Sequence, residues 1–308
     1  MTALLIESST PLCLLQDAGR FGVRHLGVTQ GGAADWVSMS WANSLLANPL
    51  DAAVIEITLG GFSLLAEEDC CLALAGADLG AMLDDRPVLP WRSFFLRKGQ
   101  RLRFGQPEVG ARAYLAAPGG FDAPQVLGSC ATVGREELGG LDGHGKALNK
   151  GDRLTYSGSS FLLRSLTDLQ APKLDDNTPL EVVLGAQISE FSGMSSFEAF
   201  NSEWTIDSRA DRMGIRLLGP VLQYQGAPMI SEGIPLGAIQ VPPDGQPIVL
   251  LNDRQTIGGY PRIGALTPLS LARLAQMLPG AALRLKPVVQ TVAHQRQVDY
   301  LNALQAFA

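Results

Sequence analysis

Charge is scarce in this chain: Asp, Glu, Lys and Arg make up 18% of its 308 residues, against 46% hydrophobic residues. So apolar a composition buries a full core, which excludes a disordered chain and leaves room for two domains. The formal net charge is -6, and the basic residues are scattered rather than gathered on one stripe. That pattern excludes a nucleic-acid backbone as a natural partner. Histidine occurs three times, at His25, His144 and His294, with none in a metal-binding spacing such as HExxH. No metal ligands are expected among them. The four cysteines, Cys13, Cys70, Cys71 and Cys130, form no CxxC pair and read as reduced, buried, small apolar residues.

Long apolar runs are missing as well. No stretch approaches the ~18 residues of a membrane span, and residues Met1 to Arg20 lack a secretory signal's basic start, apolar run and cleavage site. The expectation is a cytoplasmic protein without a membrane partner. Neither GxSxG nor GxGxxG occurs, which removes the nucleophile-elbow hydrolases and the dinucleotide binders. The run Gly140-Leu-Asp-Gly-His-Gly-Lys-Ala147 nearly spells a phosphate-cradling loop, but Ala147 lacks the hydroxyl that would hold magnesium. It reads as a glycine-rich turn.

What the chain has in quantity is punctuation: 34 glycines and 19 prolines cut the apolar runs short, which favours strands over helices. Ile55, Ile57 and Leu59 alternate with Glu56 and Thr58, and Leu102 and Phe104 alternate with Arg101 and Arg103. Residues Gln246 to Asn252 form another apolar strand. Asp84-Asp85, Lys98-Gly99 and Asp244-Gly245 each separate two such runs and predict hairpins. A turn-then-strand pattern recurs at Lys98 to Phe104, Lys150 to Tyr156 and Pro279 to Leu285. Asp35 caps a helix through about Leu46, Thr267-Pro268 starts one that Pro279-Gly280 ends, and Gln290 to Ala308 forms a third. Polar, aperiodic residues from Ser157 to Pro179 predict a linker between domains at 1–165 and 175–290, with a helical tail at 291–308.

Clusters of Gly, Gln, Asp and Arg stand out from this background. Gln16-Asp-Ala-Gly-Arg20 and Gly31-Gly-Ala-Ala-Asp35 flank the first helix, whose free amides attract anions. Later, Ser231-Glu-Gly233, Gln240 to Gln246 and Asp253 to Pro261 crowd polar groups around apolar strands. Turns do not need Gln240, Gln246 and Gln255 together, whereas recognising an amide does.

With Glu56-Ile-Thr-Leu-Gly-Gly61, Ala75-Gly-Ala-Asp78, Pro90-Trp-Arg-Ser-Phe94, Val126-Leu-Gly-Ser129, Arg212-Met-Gly214 and Gly237-Ala-Ile-Gln-Val-Pro242, these clusters resemble the KipA family, the C subunits of 5-oxoprolinase, from about residue 3 to 287. The resemblance implies a mainly β fold of two cyclophilin-like β-barrel domains in tandem with a few short helices. It implies ATP-dependent opening of the lactam of 5-oxo-L-proline to L-glutamate, with the A and B subunits of 5-oxoprolinase as partners, the B subunit being KipI-like. ATP would be shared with one of these partners, magnesium could accompany it, and no biotin would be covalently attached. Two other activities attach to relatives: sequestering a KipI-like kinase inhibitor without chemistry, and serving as the carboxyltransferase half of a biotin-dependent urea carboxylase. Cys13-Leu14 and Cys130 depart from the family, which often carries two threonines and an arginine there.

In this frame Arg20, with the amides from Gly31 and Gly32 to Asp35, is expected to hold a substrate carboxylate. Glu232, Asp244 and Asp253 are expected to orient water or a metal-bound phosphate, while Gln240, Gln255 and Tyr260 meet the amide-bearing substrate.

Overall fold

The computed structural model describes residues 2–159, 161–174 and 177–307. Residues 160, 175 and 176 of the expected linker, and residues 1 and 308 at the ends, lie outside the described residues. Two compact units emerge, one of Met1–Phe21, Gly31–Asp175 and Asn302–Ala308, the other of Gly22–Gln30 and Asp176–Leu301.

The first unit holds two antiparallel sheets. The six-stranded one runs in space Arg153–Tyr156, Thr2–Ser8, Ser63–Ala66, Arg101–Arg103, Met82–Leu83, Arg86–Pro87. The five-stranded one runs Cys13–Gln16, Val54–Thr58, Val109–Ala116, Cys70–Asp78, Arg92–Leu96. Inward side chains of both, among them Leu4, Leu64, Leu102, Ile57, Leu74 and Leu115, share one core. The alternation at 101–104 holds, since Leu102 is buried between exposed Arg101 and Arg103. At Lys98-Gly99 no hairpin forms. The flanking strands belong to different sheets, and the turn is a corner tied down by Gly99 N–H to Ala66 O and Lys98 N–H to Asp69 Oδ1. Part of the expected linker also packs: Ser93 N–H donates to Arg164 O and Leu166 N–H to Trp91 O, extending the edge beside Arg92–Leu96.

Helix α1, Trp36–Leu45, begins where the sequence places it, with Asp35 accepting from Ser38 N–H. Its start explains a departure from simple alternation. Glu56 sits on a strand as though facing solvent, yet it is fully buried. Its Oε2 accepts from Ala34 N–H and from the Tyr114 hydroxyl, each at 2.8 Å, and the same hydroxyl accepts from Asp35 N–H at 2.8 Å. A carboxylate at a helix N-terminus is favoured by the dipole and satisfies amides that would otherwise be orphaned.

The second unit is built on an eight-stranded sheet ordered Ala282–Leu283, Trp204–Ile206, Gly214–Leu218, Ile248–Leu250, Ala238–Gln240, Arg262–Leu266, Leu180–Leu184, Leu285–Val288. Its two outermost strands are separated in the chain by Arg284 alone. The sheet therefore curls back on itself, and Leu180 N–H donates to Arg284 O at the junction. Trp204, Leu217, Val249 and Leu274 fill the interior. A small ribbon pairs Glu232–Gly233 with Ile257–Gly258. Helix α2, Gly193–Asn201, carries too much Gly and Ser to be read from sequence, although Ser192 caps it. Helix α3, Pro268–Leu274, is capped by Thr267 as expected but stops before Leu278. Helix α4, Gln290–Phe307, covers the expected tail, and Phe307 stands edge-on to Trp41 at 5.3 Å. No helix is long and apolar enough to cross a membrane among the described residues.

Replacing Glu56 with Leu strips acceptors from Ala34 N–H and the Tyr114 hydroxyl and should destabilise the protein by roughly 3 kcal/mol. Tyr114→Phe should lose about half as much. Urea unfolding midpoints check both.

Candidate functional site

Arg20 and Asp17, three residues apart in the chain, both grip the loop at 126–130. Arg20 is 0% exposed; Nε donates to Val126 O at 3.0 Å and Nη2 to Ser129 O at 3.3 Å. Its Nη1 lies against Gly31, where a Cβ would come within 3.3 Å. Asp17 accepts from Gly19 N–H, the Ser129 hydroxyl, Cys130 N–H and the Cys130 thiol. These latches shape a cleft of about 440 Å³ whose lining includes Asp17, Phe21, Asp51, Phe121, Gln125 and Cys130.

The structure therefore turns the Arg20 guanidinium to the backbone rather than to solvent. The amides expected to hold a carboxylate are engaged within the chain too: Ala33 N–H donates to Asp17 O, Ala34 N–H to Glu56 and Asp35 N–H to Tyr114. Gly32 packs so closely on Ala18 that a Cβ there would stand 2.7 Å from its carbonyl oxygen. Arg20, Gly31, Gly32 and Asp35 are thus brought together as the scaffold of a loop and a helix start. The near phosphate loop is a turn, with Lys146 paired to Asp142 at 3.1 Å.

In the second unit the polar clusters converge differently. Gln240 is 3% exposed and Gln255 half-buried, and the two meet around Gly258. A Cβ on Gly258 would stand 3.2 Å from Gln240 Nε2, 3.6 Å from Gln255 Nε2 and 2.6 Å from Ile234 Cδ1. Glycine there lets both amides approach the ribbon backbone. Glu232, the strand partner of Gly258, is 47% exposed at its side chain and pairs with Arg262. Gln187 adds a third amide. It is 9% exposed, its Nε2 reaches Glu232 Oε2 at 3.5 Å, and its buried Oε1 has no partner among the described residues. Buried amides with unused donors and acceptors are what recognition of another amide requires.

The other acids stand apart from this group in their partners. Asp253 is held bidentately by Arg212, at 3.0 and 3.1 Å. Asp244 is held by Arg216, whose hydrogen bond keeps its carboxyl below the usual range. Gln246 exchanges hydrogen bonds with the Gly219 backbone instead of joining Gln240 and Gln255. Tyr260 is exposed and lines a separate groove of about 530 Å³ with Tyr224, Pro242 and Pro243. Among the described residues no group of three or more His, Cys, Asp or Glu side chains could hold a metal ion. With each expected acid bound to its own arginine, the donor set does not fit magnesium.

Sequence reasoning missed Gln187 and Arg262. Gln187 lies in a 3-10 turn without any motif, whereas Arg262 directly follows the Asp253 to Pro261 cluster and could have been taken with it.

Residues 26–287 match the family described as carboxyltransferase domain, subdomain A and B. This chain belongs to that family. Among curated relatives, the 5-oxoprolinase C subunit of Haemophilus influenzae is 36% identical over 94% of this chain and 94% of its own length. The Escherichia coli 5-oxoprolinase C subunit is 39% identical over 85% of this chain and 84% of its own. The relationship expected from the motifs is therefore shown. Among solved structures, Kluyveromyces lactis urea carboxylase superposes with a TM-score of 0.92 at 25% identity, covering 99% of this chain. This chain spans only 29% of that protein's length.

The cysteines in this family member are all buried and free. Burial pushes Cys70 up to about 12 and Cys71 up to about 11, and burial followed by the Asp17 charge raises Cys130 as well. At pH 8 an aromatic disulfide reagent should therefore label none of the four until denaturant is added. Absorbance of the released thiolate measures this.

Proposed function

We propose that this chain is one component of an ATP-dependent 5-oxoprolinase, which opens 5-oxo-L-proline to L-glutamate together with two partner subunits, the A subunit and a KipI-like B subunit. The observation that carries this reading is the identity to two curated 5-oxoprolinase C subunits along nearly whole chains. The amide cluster around Gly258 supports it, because a lactam presents one N–H and one C=O in a cis arrangement that paired glutamines can meet.

A lactam carbonyl is a poor electrophile. Transfer of the γ-phosphoryl group of ATP to its oxygen gives an activated carbon and ADP. Water adds to that carbon, the ring C–N bond breaks as nitrogen takes a proton, and a second water releases phosphate from the resulting acyl phosphate. Positioning and charge stabilisation supply most of the rate in such a sequence. Gln240 and Gln255 orient the ring, and Gln187 holds Glu232 beside it. Glu232, also paired with an arginine but half-exposed and hydrogen-bonded to Gln187, orients the water in this reading, while Asp253 and Asp244 serve to fix Arg212 and Arg216. ATP is shared with one of the partners, and the complex works in the cytoplasm.

A second reading rests on the likeness to urea carboxylase over 99% of the chain: the same scaffold would accept a carboxyl group from a biotin carried elsewhere.

Mixed with both partners and ATP, the chain should release glutamate from 5-oxo-L-proline, and alone it should release none. Gln240→Leu in the complex should lower kcat/KM for 5-oxo-L-proline about a hundredfold. Turnover by the isolated chain, or an unaffected Gln240→Leu complex, would sink the reading.

A further inference from the structure

Most arginines of the second unit have an acid. Arg209 pairs with Asp207, Arg212 with Asp253, Arg216 with Asp244, Arg262 with Glu232 and Arg296 with Glu181. Arg24 and Arg254 are different. Among the described residues neither is paired with a carboxylate.

Arg254 is 2% exposed. Its Nε donates to Ile234 O at 3.1 Å and its Nη1 to Leu251 O at 3.3 Å. Arg24 begins the turn Arg24–Leu26, and its Nη2 donates to Thr256 O at 2.8 Å, two residues beyond Arg254. Thr29, in the same segment, donates its hydroxyl to the Arg254 backbone carbonyl at 3.1 Å. Arg254 Nη2, and Arg24 Nε and Nη1, meet no acceptor among the described residues. Burial, reinforced by the Arg24 charge, pulls Arg254 down to about 10, and burial also lowers Arg24. Both remain cations at neutral pH.

Two guanidiniums fixed near each other without a counter-charge are unfavourable unless an anion joins them. Their setting says which anion. Gln255 follows Arg254 directly and contributes one of the two amides at Gly258. In a lactam acid the carboxylate sits on the carbon next to the ring nitrogen, so a site reading the ring amide needs a cation within a few bonds of it. A guanidinium with an open N–H edge suits a carboxylate's two oxygens.

We propose that Arg24 and Arg254 form the oxyanion subsite for the carboxylate of an amide-bearing acid substrate. This rests on the functional reading above and transfers the carboxylate-binding role from Arg20 to Arg254, inside the Asp253 to Pro261 cluster, and Arg24, outside every expected cluster.

The test uses Arg24→Gln and Arg254→Lys in the complex reconstituted with both partners. The KM for 5-oxo-L-proline should rise about tenfold or more while the KM for ATP moves by less than about twofold. Preference for 5-oxo-L-proline over 2-pyrrolidone, which lacks the carboxylate, should fall by a similar factor. Arg254 is buried, so if Arg254→Lys fails to fold, Arg24→Gln, at a half-buried residue that opens an exposed turn, carries the test alone. An unchanged KM and preference in Arg24→Gln, or a rise in the KM for ATP instead, overturns the subsite. If the wild-type complex consumes no 5-oxo-L-proline, the functional reading falls separately. The subsite is then judged with succinamate, an open-chain acid amide. It should raise the melting temperature of the wild-type chain and not that of Arg24→Gln, and no wild-type shift, or equal shifts, overturns the proposal.

Discussion

A guanidinium keeps its proton at any physiological pH, so when it is buried it must be surrounded by oxygen. Each unit of this protein is organised by one such group. Arg20 gathers the carbonyls of Val126 and Ser129, which closes a loop over one wall of a cleft. Arg254 gathers those of Ile234 and Leu251, which draws the small ribbon and the end of a barrel strand to one point. In both cases the cation fixes backbone first, and whatever ligand chemistry follows depends on that fixed backbone.

The two guanidiniums differ in what surrounds them. Asp17 lies three residues from Arg20 and grips the same loop, giving the first unit a carboxylate beside its buried cation. The second unit offers Arg254 another arginine instead. An acid nearby makes a structural latch self-sufficient, whereas a second cation leaves it electrically incomplete. Two similar-looking motifs, each rich in Gly, Asp and Arg, thus place their buried cations in different electrostatic settings.

Much of the fold was legible because local chemistry decided it. Asp35, Thr267 and the tail starting at Gln290 mark helices in the sequence, and glycine turns at Gly99, Gly151 and Gly280 all adopt the left-handed conformation their recurring pattern implies. What was not legible depends on partners distant in the chain. The burial of Glu56 follows from Ala34 and Tyr114, and the corner at Lys98-Gly99 from Ala66 and Asp69. The site shows the same division. Gln240 and Gln255 could be singled out by their type and company, but their meeting at Gly258 could not. Gln187 and Arg24 carried no local signal at all, since only tertiary packing gives either one its neighbours.

The join at Arg284 has a further consequence. Because the first and last ribbons of the curled sheet are neighbours along the chain, neither can slip in register without dragging the other. A single peptide seam thus locks the circumference of the barrel. Side chains spaced around its rim keep fixed separations, as staves do under one hoop, and a cluster assembled from several strands can hold its geometry without any one strand being long.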